Sequence, residues 1–281
     1  MLKRWSRRMG WGVLLGLMAI VLLLVLRQPS HQGPWLLGQT QLPEVTVMDS
    51  RYFYVDNLRD FRYNSTGEIR SADYRQSVYD IDLLEDVWLG VSHFSGMGLA
   101  HAFVSFGFTD GQYLAVSFEA RLRPEQEYSP VKGLLNQYPK MLVLGTEADI
   151  IGLRSHIRGE RVLLYRLQLD EAQQAYLLRG LMADVTDILE KPRFYNTLLD
   201  NCVTSLLRHD PEHSTWSGLL DYRVLLPGFG DGFAQKKGWI SDELTLDELR
   251  EQARVDGTIS PENPEYSEQI RVSKKGSVPF I

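Results

Sequence analysis

Met9 to Leu26 run without a charge, and four basic residues, Lys3, Arg4, Arg7 and Arg8, stand before them. A helix of that length extends about 27 Å, close to the hydrocarbon thickness of a bilayer. Only Arg27 follows closely, and positive charge stays cytoplasmic, so residues after about 30 are expected outside the cytoplasm. Trp11 falls near head-group level, where an amphipathic ring is favoured. A basic start and an apolar run are also the grammar of a cleaved signal peptide. The length of the run, and the lack of a small-x-small site in Arg27-Gln28-Pro29-Ser30, favour a retained anchor. Either way the remainder is expected in the periplasm, held to the inner membrane by a single pass if the run is kept.

All 36 acidic residues lie from Glu44 onward; five of the 30 basic residues precede it, leaving 25 and a formal charge of −11. That balance argues against nucleic-acid binding, which needs a basic footprint, and against a polybasic grip on anionic lipid. One cysteine, Cys202, cannot form an intramolecular disulfide, so stability must come from a core. Roughly 200 residues suffice for one such domain.

The expected organisation is a basic tail at 1–8, a transmembrane anchor at 9–27, a Pro- and Gly-bearing linker at 28–43, one domain at 44–256 and a polar, fraying tail at 257–281. Strands are expected at Thr46–Val55, Val87–Ser92, Met141–Gly145 and Val162–Leu169. The clearest hairpin joins Ala102–Phe108 to Gln112–Ala120 through Thr109-Asp110-Gly111. A helix follows with Asp170 and Gln173 as a capping box, apolar residues from Ala175 through Leu178, Leu181 and Val185 to Leu189, and Pro192 beyond its end. Another is expected from Asn201-Cys202, a short extended piece from Asp221, and a small helix over Leu244–Arg254 capped by Thr245 or Ser241. Strands followed by helices indicate an α+β domain with an antiparallel sheet.

Cys202 in the first turn of a helix, with Asn201 as N-cap, would feel the positive end of the helix dipole and unpaired N–H groups. These favour a reactive thiolate and could steady an oxyanion; the alternative is a buried structural thiol. His101 opens the first hairpin strand. With a three-residue loop and Gly111 left-handed, paired residue numbers sum to 220, and His101 lies across from Glu119 on the same sheet face. The carboxylate could then orient the imidazole as the third member of a triad does. With a two-residue loop the two side chains point to opposite faces, and Glu119 could instead pair with Arg121 or Arg123. His93, in a glycine-bearing loop, is the competing base; His31, His156, His209 and His213 read as surface residues. No histidine pair has metal-ligand spacing and there is no phosphate-binding glycine loop, so neither metal nor cofactor is expected.

Six stretches together resemble the Lnb N-terminal periplasmic domain family: Asn57-Leu-Arg-Asp-Phe-Arg-Tyr, His101-Ala-Phe-Val-Ser-Phe-Gly-Phe, Ser117-Phe-Glu-Ala-Arg, Tyr165-Arg-Leu, Phe194-Tyr-Asn-Thr-Leu-Leu-Asp-Asn-Cys-Val-Thr and Leu226-Pro-Gly. The resemblance implies a papain-like thiol domain of NlpC type in permuted order, with the histidine strand before the cysteine helix. It places the family histidine on His101, the cysteine on Cys202 and the glutamate on Glu119. Asn201 and Tyr195 match family positions, as a cap and a pocket wall or as oxyanion donors. The acyltransferase that gave the family its name is implied to carry further membrane-embedded sequence, and no second apolar run follows here.

The leading expectation is a membrane-anchored cysteine acyltransferase or hydrolase working through an acyl-thioester, on the acyl groups of a phospholipid or lipoprotein. Phe103, Phe106, Phe108 and Met97 are either its pocket lining or ordinary core. The alternatives are an envelope amidase or peptidase acting on peptidoglycan stems, and a non-catalytic accessory domain with a membrane-protein partner.

Overall fold

Gly111 has φ +83°, and its N–H donates to the Phe108 carbonyl while the Phe108 N–H donates to that of Gln112. The loop Thr109-Asp110-Gly111 is therefore three residues long, a turn for which a Cβ-free residue is suited. The computed structural model describes residues 26–96, 98, 100–200, 202–209 and 221–272, with Trp11, Gly16 and Met18; for Cys202 and Leu225 it describes the backbone. No described helix is long and apolar enough to cross a membrane, and the expected span at 9–27 falls almost wholly outside the described residues.

The strands are β1 (Glu44–Val47), β2 (Tyr52–Tyr63), β3 (Ile69–Asp80), β4 (Leu84–His93), β5 (Ala100–Phe108), β6 (Tyr113–Ala120), β7 (Tyr138–Gly145), β8 (Arg161–Arg166) and β9 (Phe194–Tyr195). Among the described residues they form one sheet in the order β1-β2-β7-β6-β5-β4-β8, with β3 on β2 and β9 on β7. All pairs are antiparallel except β2 with β7. The helices are α1 (Pro130–Leu134), α2 (Glu147–Gly152) continued by a wider turn over Leu153–Ile157, α3 (Glu171–Glu190), α4 (Cys202–Leu207), α5 (Tyr222–Leu225), α6 (Gly230–Lys236), α7 (Leu246–Ala253) and α8 (Tyr266–Gln269). The mixed α+β class and the dominant antiparallel sheet are as the sequence predicts.

Strand alternation divides the core in two. One face presents Ala102, Val104, Phe106, Val116, Phe118, Leu142 and Leu144 to Leu178, Leu181, Val185 and Ile188 of α3 and to Val203 and Leu207 of α4. The other presents Phe103, Ala115, Met141 and Val143 to Ile150 and Ile151 of α2, and to Tyr266 and Ile270. Each fully buried aliphatic side chain adds roughly 1.5–3 kcal/mol. The capping boxes at Asp170–Gln173 and Thr245–Glu248 are both formed. Ile188, not Leu189, closes the buried stripe of α3.

Four local readings change. Thr46–Val55 is two strands, β1 and β2, joined by a turn. The piece after Asp221 is helical at Tyr222–Leu225, because Asp221 caps it through the Arg223 N–H. Residues 30–43 lie against the domain. The buried side chains of Arg59 and Arg121 donate to backbone carbonyls of Gly38, Gln39 and Thr40, and Trp35 packs under the Arg121 guanidinium at 4.5 Å. The polar end also packs as far as Arg271, because Tyr266, Ile270 and Arg271 are buried anchors within it. Phe103, Phe106 and Phe108 are core; Met97 lies outside the described residues.

Candidate active site

The β5–β6 ladder runs from Phe103↔Ser117 to Gly107↔Tyr113, every pair summing to 220. His101 and Glu119 therefore belong to the same face, as the three-residue loop requires. They do not bond directly. Ser117, the neighbour of Glu119 two residues back on that face, stands between: His101 Nε2 is 2.7 Å from Ser117 Oγ, and Ser117 Oγ–H donates to Glu119 Oε1 at 3.1 Å.

A hydroxyl has one proton. Since that of Ser117 goes to the carboxylate, its oxygen accepts from Nε2–H. This fixes the tautomer and leaves the lone pair of His101 on Nδ1. Nδ1 carries no hydrogen bond among the described residues. Ser117 was missed in the sequence, although period-2 geometry and the 220 register already place it diagonal to His101.

Glu119 is held by many partners. Gln39 Nε2 donates to Oε2 at 3.1 Å, and Arg154 Nη2 lies 3.4 Å from Oε1. Burial by itself would raise the carboxyl pKa; the Arg59 and Arg154 guanidiniums more than offset this and hold it down at about 2. Burial, reinforced by the Arg154 charge, pushes His101 down to about 3 against an opposing pull from Glu119. The imidazole is thus neutral at physiological pH, the form a general base needs.

Both shifts act on stability in one direction. Above pH 6.5 His101 is neutral folded or unfolded; below it the unfolded chain takes up a proton that the folded site refuses, so stability falls as pH drops toward 3. The contribution of Glu119 is complete above 4.5 and is lost as pH falls through 2. A ¹⁵N-histidine NMR titration checks this: His101 should keep a protonated Nε2 and show no midpoint above pH 4.5. A midpoint near 6.5 would contradict the buried, cation-flanked setting.

Cys202 is the first residue of α4; Asn201, expected to cap it, lies outside the described residues. Lys140 of β7 ties the helix start down. Its Nζ reaches Asp200 Oδ1 at 2.5 Å and Ser205 Oγ at 2.7 Å, so one buried ammonium bridges residues on either side of Cys202. Burial lowers the Lys140 pKa against the Asp200 charge. Arg208 also reaches Asp200, at 2.8 Å.

The body of α4 packs on the α3 face of β5 and β6, whereas His101 points to the α2 face. Beyond Phe103↔Ser117 the two strands part: Ala100–Ala102 pair with β4, and Phe118–Ala120 with β7. Lys140 pairs with Ala120 in the ladder and bonds Asp200, which brings the residue two before Cys202 to the end of β6 at this fork.

Tyr195 is buried with Tyr138 and Ala120 and meets Tyr128 edge-on. The ring nitrogens of His93 lie 3.3 Å from the Arg161 carbonyl and 3.2 Å from that of Gly228, and among the described residues no carboxylate bonds it. His209 contacts Asp184 at 2.9 Å, so it is not simply solvated; His31 and His156 contact backbone carbonyls. His213 lies outside the described residues. Among those described, no three His, Cys, Asp or Glu residues cluster as a metal site would need.

A cavity of about 470 Å³ opens on the α3–α4 face, lined by Val104, Leu177, Val203, Leu206, Phe233 and Trp239 among others. Val203 directly follows Cys202. Apolar surface dominates, and His209, Gln168 and Lys237 are among the few polar groups on its wall.

No curated protein and no solved structure matches the chain. The family model described as Lnb N-terminal periplasmic domain matches residues 70–228, more than half of the chain, spanning His101, Ser117, Glu119, Lys140 and Cys202. The chain belongs to the Lnb N-terminal periplasmic domain family.

Proposed function

We propose that this protein is a cysteine acyltransferase or hydrolase with a permuted papain-like thiol site, anchored in the inner membrane by residues 9–26 with its domain in the periplasm. Cys202 Sγ attacks an ester or amide carbonyl carbon while its proton passes to Nδ1 of His101. That proton then goes to the departing alcohol or amine, leaving an acyl-thioester on Cys202. An amine or water attacks the thioester, His101 takes the proton of the incoming group, and the thiol is restored. Ser117 and Glu119 hold the imidazole in the tautomer this requires and support its transient charge.

The observation that carries the reading is the chain His101–Ser117–Glu119, which directs Nε2–H to Ser117 and leaves the lone pair of the imidazole on Nδ1. The apolar cavity next to Val203 favours an acyl chain of a phospholipid or lipoprotein over a charged peptidoglycan stem. To test it, the full chain is incubated with phospholipid, diacyl-lipopeptide and muropeptides in parallel, quenched in acid and digested. Mass spectrometry should find an acyl group on the Cys202 peptide from the lipid arms. Turnover confined to the muropeptides would replace lipid by peptide as the substrate, and no adduct or turnover in any arm would sink the thiol mechanism.

A further inference from the structure

The surface beside the start of α4 is apolar where a soluble domain would be polar. Leu199 is 69% exposed and Val131 64%, and Tyr128, Leu134, Leu135 and Leu198 are each more than a third exposed. They form one body. Val131 and Leu134 share a side of α1, and Leu135 caps its end. Asn196 Nδ2 donates to the Leu134 carbonyl, Asn196 Oδ1 accepts from the N–H groups of Leu198 and Leu199, and Thr197 Oγ1 donates to the Pro130 carbonyl. A Cβ on Gly133 would lie 2.2 Å from Thr197 Oγ1, so the helix and the turn are in close contact. Clustered large apolar side chains on a rigid surface mark an interaction site.

The position of the patch names its partner. Arg27, the residue that ends the apolar run Met9–Leu26, lies over the Phe194 ring at 5.8 Å from its centroid. Phe194 is two residues before the Asn196 turn. The outer end of the run therefore enters the domain at the edge of the patch, with no slack chain between them. Net charge gives no alternative attraction, since the residues from Glu44 onward carry −11.

We infer that Tyr128, Val131, Leu134, Leu135, Leu198 and Leu199 form a membrane-contacting face that dips into the outer leaflet of the inner membrane beside the anchor. It sets the start of α4, three residues beyond Leu199, at lipid level. The inference rests on the anchor reading of residues 9–26 and adds a fixed orientation to it: the domain lies on the bilayer instead of hanging from a tether.

Depth measurement on the full chain tests this. A nitroxide is placed at Leu199→Cys or Val131→Cys in a Cys202→Ser background, with Ser65→Cys in the β2–β3 turn as the aqueous reference, in phosphatidylethanolamine–phosphatidylglycerol vesicles. The labels at 199 and 131 should favour collision with oxygen over a water-soluble nickel chelate by at least tenfold relative to 65. Retention in the vesicles with equal chelate access at all three sites overturns the face and leaves the anchor standing. Extraction of the protein by alkaline carbonate overturns both. Dipolar broadening between labels at 199 would assign the patch to a second copy of the chain and overturn the lipid assignment.

Discussion

His101→Ala lowers the rate of acyl-thioester formation on Cys202 by about 10²- to 10⁴-fold, the range expected when a positioned proton acceptor is lost. Ser117→Ala falls between that variant and the unaltered chain. The imidazole keeps its place on β5 but loses the acceptor that holds its proton on Nε2, so a fraction of the molecules carry it on Nδ1, where it blocks the base. Because the chain acts as a unit, combining Ser117→Ala with His101→Ala costs no more than His101→Ala alone. Single-turnover quenching followed by mass spectrometry of the Cys202 peptide measures all three. A His101→Ala rate within threefold of the unaltered chain would remove the histidine from the mechanism, and an additive double variant would mean that Ser117 acts elsewhere.

Local geometry explains why His101 and Glu119 could be joined from sequence. Asp110-Gly111 selects a three-residue loop, the loop sets the register, and the register puts both side chains on one face. The same step reached the edge of Ser117 without naming it, because directly opposed residues were sought where a diagonal neighbour does the bonding. The capping box at Asp170 is likewise local and was legible, and of the two caps offered for the last long helix, Thr245 and Ser241, the structure takes Thr245.

What was not legible depends on residues far apart in the chain. Gln39 supports Glu119 across 80 positions, and the Pro- and Gly-bearing stretch around it reads as a linker until the buried arginines that take its carbonyls are placed. Lys140, a charged residue amid Tyr138–Gly145, gives no sign that its partners are Asp200 and Ser205. Hydrophobic periodicity cannot reveal such pairs, since each is a polar residue that breaks the pattern and is bonded only in the folded chain. His101 illustrates a further limit. Its face was correctly inferred, but that face is opposite the one on which α4 packs, which only the full sheet order discloses.

The polar end of the chain should prove to be a keystone, and Arg271→Ala tests this with the largest expected loss of stability. Arg271 and Glu147 are both fully buried. The guanidinium forks onto the carboxylate, with Nη1 2.7 Å from Oε2 and Nη2 2.5 Å from Oε1, and lies over the rings of Trp88 and Tyr113. Ser105 also donates to Glu147. A pair of this kind is worth little against an apolar replacement of both members, but removing one leaves a buried charge without its counter-ion. Arg271→Ala should therefore cost about 3–5 kcal/mol, on the order of a 10 °C fall in Tm for a domain of this size. It is measured by urea and thermal unfolding of the full chain in detergent. Asp86, whose carboxyl burial already pushes up while Arg271 pulls it down, should rise further in the variant. The double variant Arg271→Met with Glu147→Gln separates charge from packing, since it removes both ions and keeps most of the volume. If the orphaned carboxylate is the cause, the double variant recovers more than half of the loss. If the double variant is as unstable as Arg271→Ala, packing of the arginine stem between Trp88 and Tyr113 is what closes the second core.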